Sequence, residues 1–81
     1  MGQSATKTIK AADWKTVSSL TNITFNNSKT YNLYVVKQCE FKVGDAIFPA
    51  FNRQVFYDPN VGTLYIKTGG TECRLTVLEN A

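Results

Sequence analysis

The sequence predicts an all-β fold, a small antiparallel β-sandwich or barrel of about six to eight short strands. One observation is the alternation of apolar and polar residues in short runs, clearest at residues 64–67 and 74–77. A second is the turn chemistry between the runs: residues 58–62 combine a proline with a glycine, and Gly69-Gly70 suits a tight hairpin. Because no segment carries a convincing helical pattern, these runs are interpreted as the strands of a sheet.

The N-terminal segment is polar and threonine-rich, with no periodic apolar face over residues 1–10. We expect residues 1–12 to form an N-terminal arm, disordered alone or ordered by a neighbouring subunit, and residues 13–81 to form a single β domain. The spacing of Trp14, Val17 and Leu20 would allow one helical turn. A strand at residues 14–17 is favoured instead, because the neighbouring threonine and serine residues are weak helix formers.

The middle of the chain is expected to begin with a hairpin. Residues 22–25 and 30–36 flank a loop of turn-forming residues, which predicts two paired strands. One face of the second strand would carry Tyr31, Leu33 and Val35.

The next two segments differ in character. Residues 38–43 alternate again, with Cys39 and Phe41 on the apolar side. Residues 46–51 are apolar almost throughout but contain Pro49, which cannot donate to a ladder. Such a segment lies at a sheet edge, crosses between sheets or packs into a partner. Residues 54–78 then close the chain as a β-meander.

The composition argues against an enzyme. The chain has no histidine, which removes the commonest general base and the commonest metal ligand. Cys39 and Cys73 lie at apolar positions of strand patterns and are expected to be buried small side chains; a disulfide between them is left open. The six acidic residues show no paired spacing. We therefore predict no catalytic, metal or cofactor-binding residue, and no cofactor.

Charge and hydropathy restrict the partners. The net charge of +3 comes from basic residues spread singly along the chain, whereas nucleic-acid binders concentrate them. Pairs such as Tyr34 with Lys37 and Tyr65 with Lys67 would suit single-stranded nucleic acid, but no basic cluster frames them, so nucleic acid is not favoured. No apolar run is long enough to span a bilayer, and no membrane partner is expected. The N-terminus also has no apolar region of a secretory signal.

The small size of the chain predicts self-association. A chain of 81 residues is near the lower limit for a single core, and two cysteines allow at most one disulfide. We therefore expect a homo-oligomer, a trimer in particular.

Several patterns resemble a known class of protein: the Trp14-x-x-Val17-Ser18-Ser19 opening, the Asn/Thr-rich first hairpin ending at Tyr31-Asn32, the apolar segment around Pro49 and the closing meander. Together they resemble small virion proteins of tailed bacteriophages, of the capsid-decoration, head-fibre and tail-accessory kind. The resemblance implies a β-sandwich that assembles, often as a trimer, on a virion shell or tail. The apolar residues 46–51 depart from the more polar loop expected there.

The resulting hypothesis is a non-enzymatic structural protein of a phage particle, a capsid decoration or cement subunit located in the virion. Its partners would be other copies of itself and the major capsid protein or another virion protein. One alternative is a tail-associated or receptor-binding module; a second is a basic β-barrel that binds single-stranded nucleic acid. The expected interface residues are Lys7, Lys10, Trp14, Ile47, Phe48 and Phe51.

Overall fold

A computed structural model describes residues 2–80 and shows one antiparallel sheet of six strands, curled into a half-barrel. The all-β fold class is confirmed. The strands are β1 (Ser4–Ile9), β2 (Lys15–Thr16), β3 (Tyr31–Val43), β4 (Ala46–Tyr57), β5 (Leu64–Lys67) and β6 (Cys73–Glu79). They are interrupted by a helix, α1 (Val17–Thr21), and a 3₁₀ helix, Pro59–Val61. Met1, the first residue of the expected arm, and Ala81 lie outside the described residues.

The central strand of the sheet is β3, which is paired along both of its edges. One edge pairs with β4 from Tyr31 to Val43. The other edge pairs first with β6 and then, from Glu40 onward, with β5. Strand β1 pairs with β6 and strand β2 with β5, so these strands form an outer line in the order β1-β6-β3-β5-β2. All of these pairings are antiparallel, so β5 and β6 follow one another along the same edge of β3.

The sheet bends where its strands are interrupted at one level, a line that we call the crease. The β3–β4 register shifts between Val35 and Gln38, and both Lys37 (φ 74) and Asn52 (φ 47) adopt left-handed backbone conformations there. At the same level, Thr68 lies in the gap between β5 and β6, and Ala11 lies in the gap between β1 and β2. The Thr68 backbone amide donates to the Ala11 carbonyl at 2.8 Å and so joins the two gaps. Bulges bend strands and increase their twist, so the crease allows the sheet to curl around a core.

The core lies on the concave face of the sheet and follows the predicted alternation. On β3, Tyr31, Leu33 and Val35 are buried, as the sequence predicts. Two neighbouring strands add further buried side chains in period two: Leu64, Ile66, Cys73, Leu75 and Val77. Helix α1 and the loop after it close the concave side with Val17 and Ile23.

Aromatic rings fill one end of the half-barrel. The Phe25 ring lies edge-on to the rings of Tyr31 and Tyr57, with centroid distances of 4.7 and 4.9 Å. Such edge-to-face pairs are favourable beyond the area they bury. Phe25 belongs to the loop between α1 and β3, so these contacts fix a loop onto the sheet.

Three local expectations from the sequence are wrong. Residues 22–25 do not pair with the start of β3; they follow α1 as a loop, while β2 precedes α1 at residues 15–16. Residues 30–36 and 38–43 are not separate strands but parts of one bulged β3. Gly69-Gly70 has positive φ values, but β5 and β6 do not fold back on each other, because both pair with β3.

The N-terminal segment also differs from the expected arm. Residues 4–9 form β1, which pairs with β6 from Ser4 opposite Leu78 to Ile9 opposite Cys73. Ile9 is buried in the core and Ala5 packs against it. The expectation that only a neighbour orders this segment is wrong for these residues, because β6 supplies the hydrogen bonds and the apolar contact.

Candidate assembly interface

The convex face of the sheet exposes large apolar side chains. Because successive residues of a strand point to opposite faces, the residues next to the core positions in β3, β4 and β6 face outward. Six of these are exposed large apolar residues, which we call the outer patch: Tyr34, Val36, Ile47, Phe51, Phe56 and Leu78. Phe51 and Phe56 are each 65% exposed, the highest values in this set. The patch therefore presents aromatic surface that the core does not use.

Cross-strand pairing brings part of the outer patch together. Phe56 and Leu78 both pair with Asn32, one from each side of β3. Tyr34 lies two residues further along β3, on the same face. Paired residues on one face of a sheet lie within side-chain reach of each other. Phe56, Leu78 and Tyr34 thus surround Asn32, although they are distant in sequence.

Strand β4 forms one edge of the sheet, since among residues 2–80 it pairs only with β3. Unpaired edges can pair with another chain, and natural proteins interrupt them. Pro49 lacks an amide proton and Asn52 has a left-handed backbone, so the free edge of β4 is broken near its middle. Of the positions that the sequence left open for the segment around Pro49, the structure shows the one at a sheet edge. The break favours contact through side chains over continuous strand pairing.

The residues expected at an interface occupy different environments. Ile47 and Phe51 are exposed and belong to the outer patch. Phe48 is half-buried, with its ring centroid 5.8 Å from that of Phe41 in the core. Phe48 therefore packs inward and supports the fold.

The other expected interface residues lie along the opposite part of the sheet. Lys7 is exposed on β1, opposite Leu75, and Lys10 is exposed just after the strand. Trp14 is half-buried before β2. The structure does not bring these residues to the outer patch; they lie beyond β6 and β5, on the far side of the sheet from β4.

Trp14 is part of a cluster of aromatic and basic side chains. The Lys67 and Lys42 ammonium nitrogens lie 5.3 and 5.9 Å from the Trp14 ring centroid, and Lys42 also lies 5.5 Å from that of Tyr65. These are cation–π distances. The sequence indicated the Tyr65–Lys67 pair in this cluster. The pairing of β5 with β3 brings Lys42 to it, and the pairing of β5 with β2 brings Trp14, which precedes β2. The cluster thus combines two aromatic rings with two ammonium groups.

The interface residues expected from the sequence do not include Tyr34, Val36, Phe56 and Leu78. Each follows a residue that belongs to the core or packs against it, for example Phe56 after Val55 and Leu78 after Val77. Their exposure could have been predicted from the alternation alone, because a large apolar residue at a polar position of an alternating run faces away from the core. Their proximity depends on non-local register, which the sequence does not reveal.

Two cysteine thiols lie next to each other in the core. Burial raises the pKa of the Cys39 thiol to about 12, and burial also raises the pKa of the adjacent Cys73 thiol. Both thiols are therefore protonated near neutral pH, whereas nucleophilic attack requires a thiolate. Within residues 2–80, no group of three or more His, Cys, Asp or Glu side chains is arranged to hold a metal ion.

Two further observations complete the description. No helix within the described residues has the length and apolar character needed to cross a membrane. Comparison with protein-family models, curated proteins and solved structures finds no match to this chain.

Proposed function

We propose that the chain is a non-enzymatic structural protein of a phage particle, a capsid decoration or cement subunit that acts through subunit and shell contacts. The observation that carries the proposal is the outer patch, in which Phe51 and Phe56 are exposed on a sheet face that the core does not cover. Exposed aromatic surface of this kind marks contact sites, and buried aromatic residues dominate the energy of such contacts. The phage context comes from the sequence resemblance.

The size of the chain supports self-association. Folding of a chain of 81 residues buries a smaller fraction of its surface than folding of a large domain. Association through the outer patch would add buried apolar area and stabilise the folded subunit by mass action. The subunit and its assembly would then depend on the same residues.

A trimer requires a heterologous contact, in which the outer patch of one copy meets a different surface of the next. We assign that second surface to the opposite edge of the sheet, where Lys7 and Lys10 are exposed along and just after β1. Lysine stems can cover apolar rings while the ammonium groups stay in water. Contact between two outer patches would instead be isologous and would stop at a dimer.

The proposal is tested by removing the aromatic surface without touching the core. We expect Phe51→Ser combined with Phe56→Ser to convert the oligomer to a folded monomer, because each ring is mostly exposed within one subunit. The measurement is native mass spectrometry together with circular dichroism.

Two control variants separate assembly from folding. Val61→Ser changes a side chain that is 63% exposed on the 3₁₀ helix, outside the patch, and should leave the oligomer intact. Phe48→Ser should destabilise the subunit itself, because Phe48 packs on Phe41. An unchanged oligomer in the Phe51/Phe56 variant contradicts the proposed interface.

Location on a particle needs a separate experiment. Immunogold labelling of virions of the phage that encodes the chain should place the protein on the head. Label on the tail would support the tail-associated or receptor-binding alternative. Virions without label would contradict both.

The second candidate function, binding of single-stranded nucleic acid, is favoured by the cluster of Trp14, Tyr65, Lys42 and Lys67. Fluorescence anisotropy with an oligo-dT probe at low salt tests it. Binding that weakens with salt and is lost in the Lys42→Gln and Lys67→Gln variant would establish this function.

A further inference from the structure

A cleft at one end of the half-barrel is distinct from the outer patch. It has a volume of about 710 Å³ and lies between the loop that follows α1 and the 3₁₀ helix. Its volume is in the range of clefts that hold small ligands. No residue of the outer patch lines it. Self-association through the patch therefore leaves the cleft without an assigned role.

The lining of the cleft is neutral, although 19% of the residues of the chain are charged. Among the described residues that line it, none has a charged side chain. The apolar part includes the half-buried ring of Phe25 and the buried side chain of Leu64. The polar part is made of amides and hydroxyls, among them those of Ser18, Asn22, Thr24, Asn27, Asn60 and Thr63. A ligand that suits this lining is uncharged, rich in hydroxyl groups and apolar on one face.

Several of these polar groups are free to bind a ligand. Within residues 2–80, the side chains of Asn22, Asn27, Thr24 and Thr63 form no hydrogen bond to the protein. All four of these residues are exposed. An asparagine amide both donates and accepts, which allows it to bind neighbouring hydroxyls of a ligand.

The walls of the cleft are held in place by hydrogen bonds. The Asn60 side-chain amide donates to the Asn27 carbonyl at 2.8 Å and joins the two walls, while the Asp58 carboxylate accepts from the Asn60 backbone amide at 2.9 Å. Asn22 adopts a left-handed conformation as the cap of α1, and its amide donates to the Ser18 carbonyl. A site whose walls are already ordered binds its ligand with a smaller entropic loss.

We propose that this cleft binds a neutral carbohydrate. Free amides and hydroxyls would bind sugar hydroxyls, and the apolar C–H face of a sugar ring would pack on the accessible part of Phe25. Small β-barrels of other architectures bind oligosaccharides through loops at one end. The neutral lining argues against phosphate or nucleic acid, which select basic side chains. The inference does not depend on the proposed self-association.

The test uses the full chain labelled with ¹⁵N and three neutral probes: maltohexaose, cellohexaose and chitohexaose. We expect at least one of them to shift the side-chain amide signals of Asn22, Asn27 and Asn60 in heteronuclear NMR spectra. A concentration of about 10 mM nearly saturates even a site with a Kd of about 1 mM. A sulfated oligosaccharide serves as the anionic control and should leave these signals unchanged.

Variants connect the binding to the cleft. Asn27→Ala and Thr63→Val should each weaken the binding of the active probe about three- to tenfold, through the loss of a hydrogen bond. Gln38→Ala, on the exposed outer side of β3, is the matched control and should bind as the parent does. The proposal is overturned if none of the three probes shifts the cleft signals, or if the shifts map to the outer patch instead.

Discussion

At the residue scale, the Tyr31 side chain connects the core to the loop that follows α1 and to the end of β6. Its hydroxyl donates to the Glu79 carboxylate at 2.7 Å and accepts from the Asn26 backbone amide at 2.8 Å. The hydrogen bond from Tyr31 is the main cause that lowers the pKa of Glu79, and burial raises the pKa of Tyr31. One hydroxyl thus holds the cleft loop and the end of β6 together.

We expect Tyr31→Phe to reduce the free energy of unfolding by about 1–2 kcal/mol at pH 7, because the Asn26 amide loses its acceptor. Tyr34→Phe is the matched control and should change stability by less than about 0.5 kcal/mol, since Tyr34 is exposed on the outer face. Urea denaturation measures both.

A carboxylate with a lowered folded pKa stabilises the fold above its unfolded pKa, and this contribution is lost as the pH falls through the folded value. The difference between Tyr31→Phe and the parent should therefore shrink below about pH 4. Carboxyl NMR should show the pKa of Glu79 rising in the variant. Equal effects of the Tyr31 and Tyr34 substitutions would contradict the assigned contact.

Cys39 and Cys73 show how burial controls thiol chemistry. Both are free and buried. Burial is the largest cause of the raised pKa of the Cys39 thiol, and the neighbouring Cys73 thiol adds to it. We expect both thiols to react slowly with a thiol reagent at pH 8 in the native protein and rapidly in guanidinium chloride. Replacement of each by Ala should cost about 1–2 kcal/mol. Rapid labelling of the native protein would contradict the burial.

The same thiols predict how stability changes at alkaline pH. A raised folded pKa gives a contribution that is complete below the unfolded pKa, near 9, and is lost as the pH rises toward about 12 for Cys39. We expect the double Ala variant to lose less stability over this range than the parent. Some loss should persist in the variant, because burial also raises the pKa values of Tyr31 and Tyr57.

At the scale of elements, the crease decides how the strands curl around the core. Lys37 has φ 74 in the β3 bulge, and its amide donates to the Asn52 side-chain carbonyl at 2.7 Å. A left-handed conformation costs a residue with a Cβ about 1 kcal/mol, and glycine adopts it without that cost. We expect Lys37→Gly to stabilise the fold by about 0.5–1 kcal/mol, and the matched Gln38→Gly to destabilise it similarly. Thermal unfolding of both variants measures this; a loss of stability in Lys37→Gly contradicts the strain.

The sequence predicted which residues of each strand face the core better than it predicted which strands pair with each other. Alternation placed Leu64, Ile66, Leu75 and Val77 in the core correctly, because side-chain period is a local property. Gly69-Gly70 indicated a turn but not its outcome, since positive φ values suit both a hairpin and a break between collinear strands. The expected arm failed for a related reason: β1 is nearly polar, and the residues that order it belong to β6.

The candidate site could be predicted only in part, because strand pairing between distant segments is not visible in the local sequence. Ile47 and Phe51 were found because they lie in a conspicuous apolar segment. The inward position of Phe48 follows from its phase with the buried Ala50, two residues further along β4. The proximity of Phe56 to Leu78 depends on the pairing of β4 and β6 with β3, which no local pattern encodes.

At the scale of the whole molecule, the half-barrel has a concave face filled by its core and a convex face with exposed aromatic residues. This asymmetry is the basis of the proposed function, because exposed aromatic surface of this kind is typical of contact sites. The edge of β4 is interrupted at Pro49 and Asn52, so the proposed contact would use the sheet face. An exposed sheet face combined with an interrupted β4 edge would allow assembly without uncontrolled strand pairing.

The most direct test of this account is the mass of the unmodified protein in solution. Native mass spectrometry, supported by light scattering over a series of micromolar concentrations, should show the mass of three chains, with dissociation on dilution. A dimer would support an isologous contact between outer patches and contradict the heterologous arrangement. A monomer at every concentration, with a stable cooperative unfolding transition, would contradict self-association as the function of the exposed face.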